Sequence, residues 1–513
     1  MSALGDVGAL QSPVLQSPVR RMRSGSAESA RQNATYLGFA VASSAGLRYN
    51  AGMSYDLIVI GGGPAGYVGA IRAAQLGKRV VCVERDRVGG VCLNWGCIPT
   101  KALLRNAELY HTLEKRAAEF GIEVDGLRAN WQQVIARSRQ VSERLSNGIA
   151  FLFKKNKVES LAGEARIVSS GKVEVRAADG SVTLLEGSKI LVATGARTRE
   201  VPAFPFNGRT IIGSKDALVR EQRPESMLVI GSGAIGTELS YVYHCFGTKV
   251  TLVEALPRIL PQEDDEVSQA MERAFKKQGI TCMAGAKVES LRDNGDSVTA
   301  SITAKNGRVQ ELTADVCLVA IGVVPVVPEA HGLELTDRGF IKVNDRYETS
   351  IPGVFAAGDC IGGVMLAHTA SYEALQAVEG MFDSSFTPLQ PHFVPGCTYC
   401  HPQVASVGKR ERELKEAGVD YKVGKFSFQA IGKAVAAGET EGFVKLLFGR
   451  ENGELLGAHI IGDQATELIA TPELALNAEL TDADLEAMIY AHPTLSEALH
   501  EAVLAADGRA LHA

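Results

Sequence analysis

The sequence predicts an α/β fold: two parallel-sheet units, each opening on a glycine-rich turn, followed by a C-terminal unit of mixed strands and helices. Three observations predict it. Leu57-Ile58-Val59-Ile60 is a short apolar run that reads as a buried parallel strand, followed at once by Gly61, Gly63, Gly66 and a helix-compatible stretch. Met227-Leu228-Val229-Ile230, with Gly231, Gly233 and Gly236, repeats that pattern. From about residue 391 onward, strand-like VASVG, FVKLLF and ELLGAHIIG precede helices without an evident nucleotide pattern.

In the first unit, Gly61 permits the tight turn, Gly63 lets backbone N–H groups approach a pyrophosphate, and Gly66 lets helix and strand pack closely. The helix N-terminus then faces the anion. Val80-Val81-Cys82-Val83 reads as a second buried strand ending in Glu84, whose carboxylate can accept hydrogen bonds from a ribose. Strand, turn, helix and acid together point to a bound dinucleotide. Cys92 and Cys97 follow, separated by Leu93-Asn94-Trp95-Gly96. On one regular α-helix, positions i and i+5 match poorly in angle and hold their Cα atoms beyond the ~7 Å that a disulfide tolerates. Pairing therefore demands a distorted backbone, which Gly96 permits and which Pro99 suits as a first-turn residue. Two buried free thiols satisfy the same spacing, and the spacing alone leaves both readings open.

The run GGVCLNWGCIPTK resembles the redox-active disulfide motif of the flavin disulfide reductases, and the complete motif set, from Tyr55 to the C-terminus, is most similar to the dihydrolipoamide dehydrogenases. The resemblance implies that the first dinucleotide is FAD, that Cys92 exchanges with substrate, that Cys97 lies against the flavin, and that Lys101 sits beside the isoalloxazine. It implies a split FAD domain (54–204 and 326–390), an inserted NAD domain (205–325) and a C-terminal interface domain (391–513) that makes a homodimer. The implied activity is oxidation of protein-bound dihydrolipoamide by NAD⁺. The implied partner is a lipoylated carrier, either an acyltransferase component or a glycine-cleavage protein.

After the cysteines, ALLRNAELYHTLEKRAAEF and WQQVIARSRQVSERLSNGIAFLFKK predict long amphipathic helices. Lys172 to Leu185 alternates like a β-meander, and Lys189 to Ala193 returns to a buried strand before Thr194-Gly195-Ala196, which resembles the exit from the first FAD half. In the second unit, Lys249 to Val253 ends in Glu254. A carboxylate there accepts from a free 2′-hydroxyl and repels a 2′-phosphate, so NAD is expected over NADP; Lys249 and Arg258 lie nearby but not at the strand end. Glu238 can be a first-turn acid favoured by the helix dipole; the resemblance instead puts it near the flavin and nicotinamide, where pairing with Lys101 is expected. After Gly322 the family's arginine and asparagine are replaced by Val323-Val324-Pro325-Val326, which puts local nucleotide contacts in doubt. Ile351 to Asp359 resembles the second FAD signature, in which Gly358 makes the turn and Asp359 holds the ribitol chain. A helix starting near Ala367 would point at the flavin, with His368 structural.

Cys397-Thr398-Tyr399-Cys400-His401 matches the C-x-x-C-H pattern of c-type haem attachment, but the resemblance places it on the first strand of the interface domain. His492-Pro493-Thr494-Leu495-Ser496-Glu497 is the last motif. A histidine titrates near neutrality and a carboxylate fixes its tautomer, so His492 and Glu497 suit a base and its orienter. A loop-capping histidine beside a solvated acid is the alternative, and the resemblance selects the base.

Formal net charge is −6 over 513 residues, which gives no electrostatic reason for nucleic acid or an anionic membrane as partner. No apolar run reaches the ~18 residues of a membrane span. Nine cysteines without dense spacing argue for a reducing compartment; Cys82, Cys245, Cys282 and Cys317 read as core residues. No metal site is expected. Residues 1–53 are rich in Ser, Ala and Arg and are expected to lack a fold. Arg20, Arg21, Arg23 and Arg31 suit an organelle transit peptide, whereas a start at Met53 and the tryptophan of CLNWGC favour the cytoplasm. A non-catalytic FAD-binding subunit is the rival from another class, and retention of Cys92, Cys97, His492 and Glu497 together argues against it.

Overall fold

A computed structural model describes residues 48–512. The extension expected over 1–53 otherwise lies outside the described residues; β1 (Arg48–Ile60) reaches back into its last few positions. With α1 (Pro64–Gln75) and β2 (Val80–Glu84) it forms the first βαβ unit, Leu57 opposite Val80 and Ile60 opposite Val83 in parallel. The paired segments 57–60 and 80–83 are wholly apolar because both faces are covered: Leu57, Ile58 and Val59 are 0% exposed.

Three helices follow: α2 (Gly90–Trp95), α3 (Cys97–His111) and α4 (Trp131–Asn156). The amphipathic pattern after the cysteines is realised in two stages, since α3 stops at His111 and residues 112–120 continue as one π-helical and one 3₁₀ turn. Asn130 caps α4, its Oδ1 accepting from Gln133 N at 3.1 Å. Then come β3 (Glu159–Ala162), β4 (Glu164–Ser169), β5 (Lys172–Arg176) and β6 (Val182–Val192). The meander and the buried strand expected as separate stretches share β6. Its first half runs antiparallel to β5 (Lys172 opposite Glu186), while β1 runs parallel to it from Thr183 to Val192 (Ile58 opposite Ile190). The side-chain pattern changes along β6 because its neighbours change: alternating where one face meets solvent, uniformly apolar where both are covered.

The inserted unit begins with β7 (Ala196–Thr198), β8 (Ile211–Ile212), α5 (Ser214–Ala217) and β9 (Ser226–Ile230), and continues through α6 (Ala234–Cys245), β10 (Lys249–Glu254), α7 (Asp265–Gln278) and β11 (Thr281–Ala284). It closes with β12 (Lys287–Asp293), β13 (Val298–Thr303), β14 (Val309–Ala314) and β15 (Val316–Val319). Its parallel sheet has the order β11-β10-β9-β15-β8, beside an antiparallel β12-β13-β14 meander. β16 (Val323–Pro325) then pairs antiparallel with β7. β17 (Val354–Ala356) returns to the first sheet, parallel to β6, and α8 (Ala367–Phe382) packs on α1. Between β17 and α8 the chain turns at Gly358, so Asp359 caps no helix.

The last unit holds β18 (Gly396–Thr398), β19 (Gln403–Gly408), α9 (Glu411–Glu416), β20 (Tyr421–Ser427), β21 (Phe443–Gly449) and β22 (Leu455–Gly462). They make an antiparallel sheet ordered β18-β19-β22-β21-β20, with the C-terminal helix Glu497–Ala505 packed on β20 and β21.

The two glycine turns are built to the same tolerance. A Cβ on Gly66 would lie 1.8 Å from Gly61 O, and one on Gly236 would lie 1.9 Å from Gly231 O. Gly236→Ala should therefore push α6 off β9 and weaken nucleotide binding at the second turn by ~10-fold or more, about 1.4 kcal/mol. The first turn should keep its ligand, and titrating each nucleotide separately by fluorescence checks both halves.

Candidate active site

Each glycine turn is closed by its strand-end acid. Glu84 Oε2 accepts from Gly62 N at 2.7 Å and its Oε1 from Asp86 N at 2.8 Å. Glu254 repeats this, its Oε2 accepting from Ser232 N at 2.8 Å and Ser232 Oγ at 2.9 Å, and its Oε1 from Leu256 N at 2.9 Å. Both carboxylates are thus locked in place with lone pairs left for ribose hydroxyls. Gly61 and Gly231 adopt φ of +102° and +95°, a conformation open to glycine. Neither α1 nor α6 has a side-chain cap at Gly63 or Gly233, which leaves first-turn N–H groups facing the position of an anion.

A cavity of about 390 Å³ extends from the first turn, lined by Gly61, Glu84, Arg85, Thr194 and Val326 among others. Gly195 and Gly358 adopt φ of +69° and +80°. Gly358 N donates to the buried Glu373 at 2.7 Å. Burial pushes the Asp359 carboxyl above its ordinary pKa, as suits an acid that awaits hydroxyl donors. α8 begins at Ala367 without a side-chain cap. These residues fit two extended dinucleotides. The arginine missing after Gly322 has a structural counterpart: that stretch is a strand, Val323 pairing with Thr198.

The cysteines stand on either side of a broken helix. α2 ends at Trp95, Gly96 takes φ −150° and ψ −110°, and α3 starts at Cys97. The interruption predicted from their spacing falls between them. The platform beneath is rigid. Asn94, 0% exposed, donates from Nδ2 to Gly90 O at 3.0 Å and Val88 O at 3.1 Å, and Arg139 binds Asn94 O at 2.7 Å. Trp95 donates to Asp86 at 2.8 Å and lies between the cations of Arg139 and Lys215. Both cysteines are thiols here, and they share a hydrogen bond. That bond, then burial, drives Cys92 upward, so it keeps its proton. The same bond, together with the Lys101 ammonium, draws Cys97 downward toward thiolate against the effect of burial.

Lys101 is itself held. Its Nζ lies 3.0 Å from both oxygens of Glu238, which is only 3% exposed. The pairing expected between these residues is present. Tyr399 completes the junction: its N donates to Glu238 Oε1 at 2.9 Å and its ring lies 4.2 Å beneath the Lys101 ammonium. Nothing in the sequence marks Tyr399 for this place, since the CTYCH run stands out there only for its haem likeness. The other members of that run are engaged separately. Cys400 is buried with Sγ against Pro402 O at 3.5 Å, and His401 Nε2 lies 3.3 Å from Glu439. Among the described residues no group of three or more side chains is arranged to hold a metal. Cys82, Cys245 and Cys317 are buried, and Cys282 is half-buried.

His492 and Glu497 meet as expected: Nδ1 lies 2.8 Å from Glu497 Oε1, while Oε2 accepts from Thr494 N at 2.9 Å. Against the opposing effect of burial, these bonds hold Glu497 below its ordinary pKa. The His492 side chain is 77% exposed. The groups that shift Cys92 and Cys97 include Lys101, Glu238 and Asp359. One chain thus brings together the thiols, Lys101, Glu238 and Asp359, and leaves His492 facing outward.

Residues 55–374 match the family of pyridine nucleotide-disulphide oxidoreductases, and residues 394–503 match the dimerisation domain of that family. The chain belongs to this family. Its members use FAD and NAD, and this chain is accordingly a homodimeric flavoprotein oxidoreductase. It is 45% identical over 463 residues to a dihydrolipoyl dehydrogenase of Zymomonas mobilis, covering 89% of this chain and 99% of the relative. A mitochondrial dihydrolipoyl dehydrogenase of Arabidopsis thaliana is 40% identical, covering 89% and 91%. In structure it is similar to LpdA from Mycobacterium tuberculosis, with a TM-score of 0.80 at 27% identity over 87% of this chain and 98% of that one. No helix among the described residues is long and apolar enough to cross a membrane.

Beside the hydrogen bond from Cys92, the Lys101 charge favours the Cys97 thiolate, so its removal has a definite sign. Lys101→Met should raise the Cys97 pKa and slow its alkylation at neutral pH by roughly tenfold, equivalent to ~1.4 kcal/mol against the thiolate. Peptide mapping of iodoacetamide-labelled reduced enzyme against pH measures this, and an unmoved Cys97 profile would contradict it.

Proposed function

We propose that this protein oxidises the dithiol of a dihydrolipoyl group, carried on a lipoylated protein or domain, and delivers the electrons to NAD⁺. The observation that carries the reading is the pair of cysteines flanking the helix break at Gly96, with the Lys101 ammonium beside them fixed by Glu238. His492, with Nδ1 committed to Glu497, presents Nε2 as a base and removes a proton from one substrate thiol. The substrate thiolate attacks Cys92 of the oxidised Cys92–Cys97 pair. A substrate–Cys92 disulfide forms, the Cys92–Cys97 bond breaks, and Cys97 departs as a thiolate that Lys101 stabilises. A low pKa makes it a good leaving group. The second substrate thiol gives its proton to the Cys92 sulfur as it attacks its own disulfide-bonded partner sulfur; the lipoyl disulfide closes, the substrate–Cys92 bond breaks, Cys92 leaves as the thiol, and His492 keeps the first proton. When bound, FAD supplies the two-electron relay between the Cys97 thiolate and NAD⁺. Glu84 and Asp359 would hold FAD, and Glu254 would hold the NAD ribose. The cysteine usage favours a reducing compartment, and the tryptophan of CLNWGC favours the cytoplasm.

Dihydrolipoamide-dependent reduction of NAD⁺ by the purified holoenzyme tests the reading directly. His492→Gln should lower turnover by ~10²–10⁴-fold, the range for loss of a general base. With Glu254 at the ribose, kcat/KM for NAD⁺ should exceed that for NADP⁺ by at least ~10-fold, or about 1.4 kcal/mol. Equal values would remove the argument from Glu254.

We further infer that each active site is shared between subunits, His492 of one serving the cysteines of the other. The exposure of His492 and the two-fold character of a self-complementary dimer support this. A heterodimer of Cys92→Ser with His492→Ala would then contain one doubly broken site and one intact site. Activity near half of wild type is expected, and a purified heterodimer as inactive as its parents would exclude sharing.

A further inference from the structure

The C-terminal unit buries a charge that the proposed chemistry does not use. Lys445, in the middle of β21, is 0% exposed, and its Nζ lies 3.0 Å from Asp264, 2.9 Å from Glu266 and 2.6 Å from Glu411. Asp264 and Glu266 belong to the inserted nucleotide unit, at the start of α7. Around them the same segment is gripped along its backbone. Arg410 donates to Gln262 O at 2.9 Å, and Arg412 donates to Pro261 O at 2.9 Å and Glu263 O at 2.7 Å. Arg412 also reaches Asp265 at 2.7 Å, and Lys425 pairs with Glu266. Three consecutive carbonyls and three consecutive acids are therefore held by cations of the last unit.

What the grip holds is strained. Leu260, 3% exposed, has φ +45°, a left-handed conformation that is costly for a bulky side chain. Such a residue persists only where its surroundings over-determine it. In that conformation Leu260 N donates to Ser232 O at 3.1 Å, and Ser268 Oγ donates to Leu260 O at 3.0 Å. Ser232 is the residue whose N and Oγ fix Glu254. A continuous run of bonds thus connects a lysine of the interface sheet to the acid at the nucleotide ribose.

We propose that Lys445 is a positioning residue for NAD, holding Leu260 in its strained conformation through Asp264 and Glu266 so that Ser232 and Glu254 are set for the ribose. The proposal rests on the second glycine turn being the NAD site. The interface unit, beyond joining subunits, then shapes a cofactor site in its own chain. The Lys445 cluster has no member among the thiols, Lys101, Glu238 or the flavin cradle, so loss of the grip should be felt by one substrate only.

The test compares Lys445→Met with wild type as flavin-loaded dimers. NADH binding is measured by fluorescence titration, KM for NAD⁺ and for dihydrolipoamide in turnover, and dimer mass and flavin content alongside. The expected result is a Kd for NADH and a KM for NAD⁺ raised ~10-fold or more, with the dithiol KM, flavin content and dimer mass unchanged. Equal weakening toward both substrates, or an unchanged Kd, would overturn the proposal. Should Lys445→Met not fold, Glu266→Gln removes one of the two acids through which Lys445 acts, on the more exposed side of the cluster. It should raise the same two constants several-fold, and a variant indistinguishable from wild type would count equally against the idea. Wild-type enzyme that binds no NADH would instead refute the assignment of the site, a separate failure.

Discussion

A carboxylate with 3% exposure has to be neutralised, and Glu238 meets that requirement with one group from each part of the molecule. Lys101 comes from the helix that begins at Cys97, Glu238 from α6 of the inserted unit, and the Tyr399 N–H from the segment after the first strand of the interface unit. None of these could move far without leaving a buried charge unpaired, a fault that typically costs several kcal/mol. The same contact determines where the Lys101 ammonium lies, and with it a charge that favours the Cys97 thiolate. Domain arrangement and thiol chemistry therefore depend on one ion pair.

The features legible in the sequence are those whose causes are local. Each βαβ unit announced itself because apolar strand, glycine turn and strand-end acid occur within about thirty residues, and the reason for each residue type acts within that window. Gly96 could be expected to break a helix because the constraint concerns two cysteines five apart. His492 and Glu497 likewise meet across one short loop. The FAD roles given to Asp359 and Lys101 came from resemblance, not from pattern.

What the sequence hid depends on partners distant in the chain. Tyr399 lies under Lys101 because a C-terminal strand passes beside an N-terminal helix, and no periodicity records that crossing. Lys445 stands in the apolar run FVKLLF, where pattern alone suggests a charge pointing to solvent; it is fully buried because three acids from other elements converge on it. The continuity of β6 was hidden differently, since its two halves answer to different neighbours and so carry different side-chain patterns.

That long strand bears on the order of assembly. β6 pairs with β17 through Ile190 and Val354, so the first sheet gains its last parallel strand only after the whole inserted unit has been made. Bringing such distant segments together as open coil would carry a large closure entropy. The short β7–β16 ribbon changes the problem, because Arg197 opposite Val324 draws the two ends of the insertion side by side. Once the inserted unit has folded on its own contacts, it acts as a compact bridge, and the remaining closure is that of the stretch from Pro325 to Val354. A protein whose first domain is interrupted can thus complete it late, with the interruption serving as the scaffold for closure.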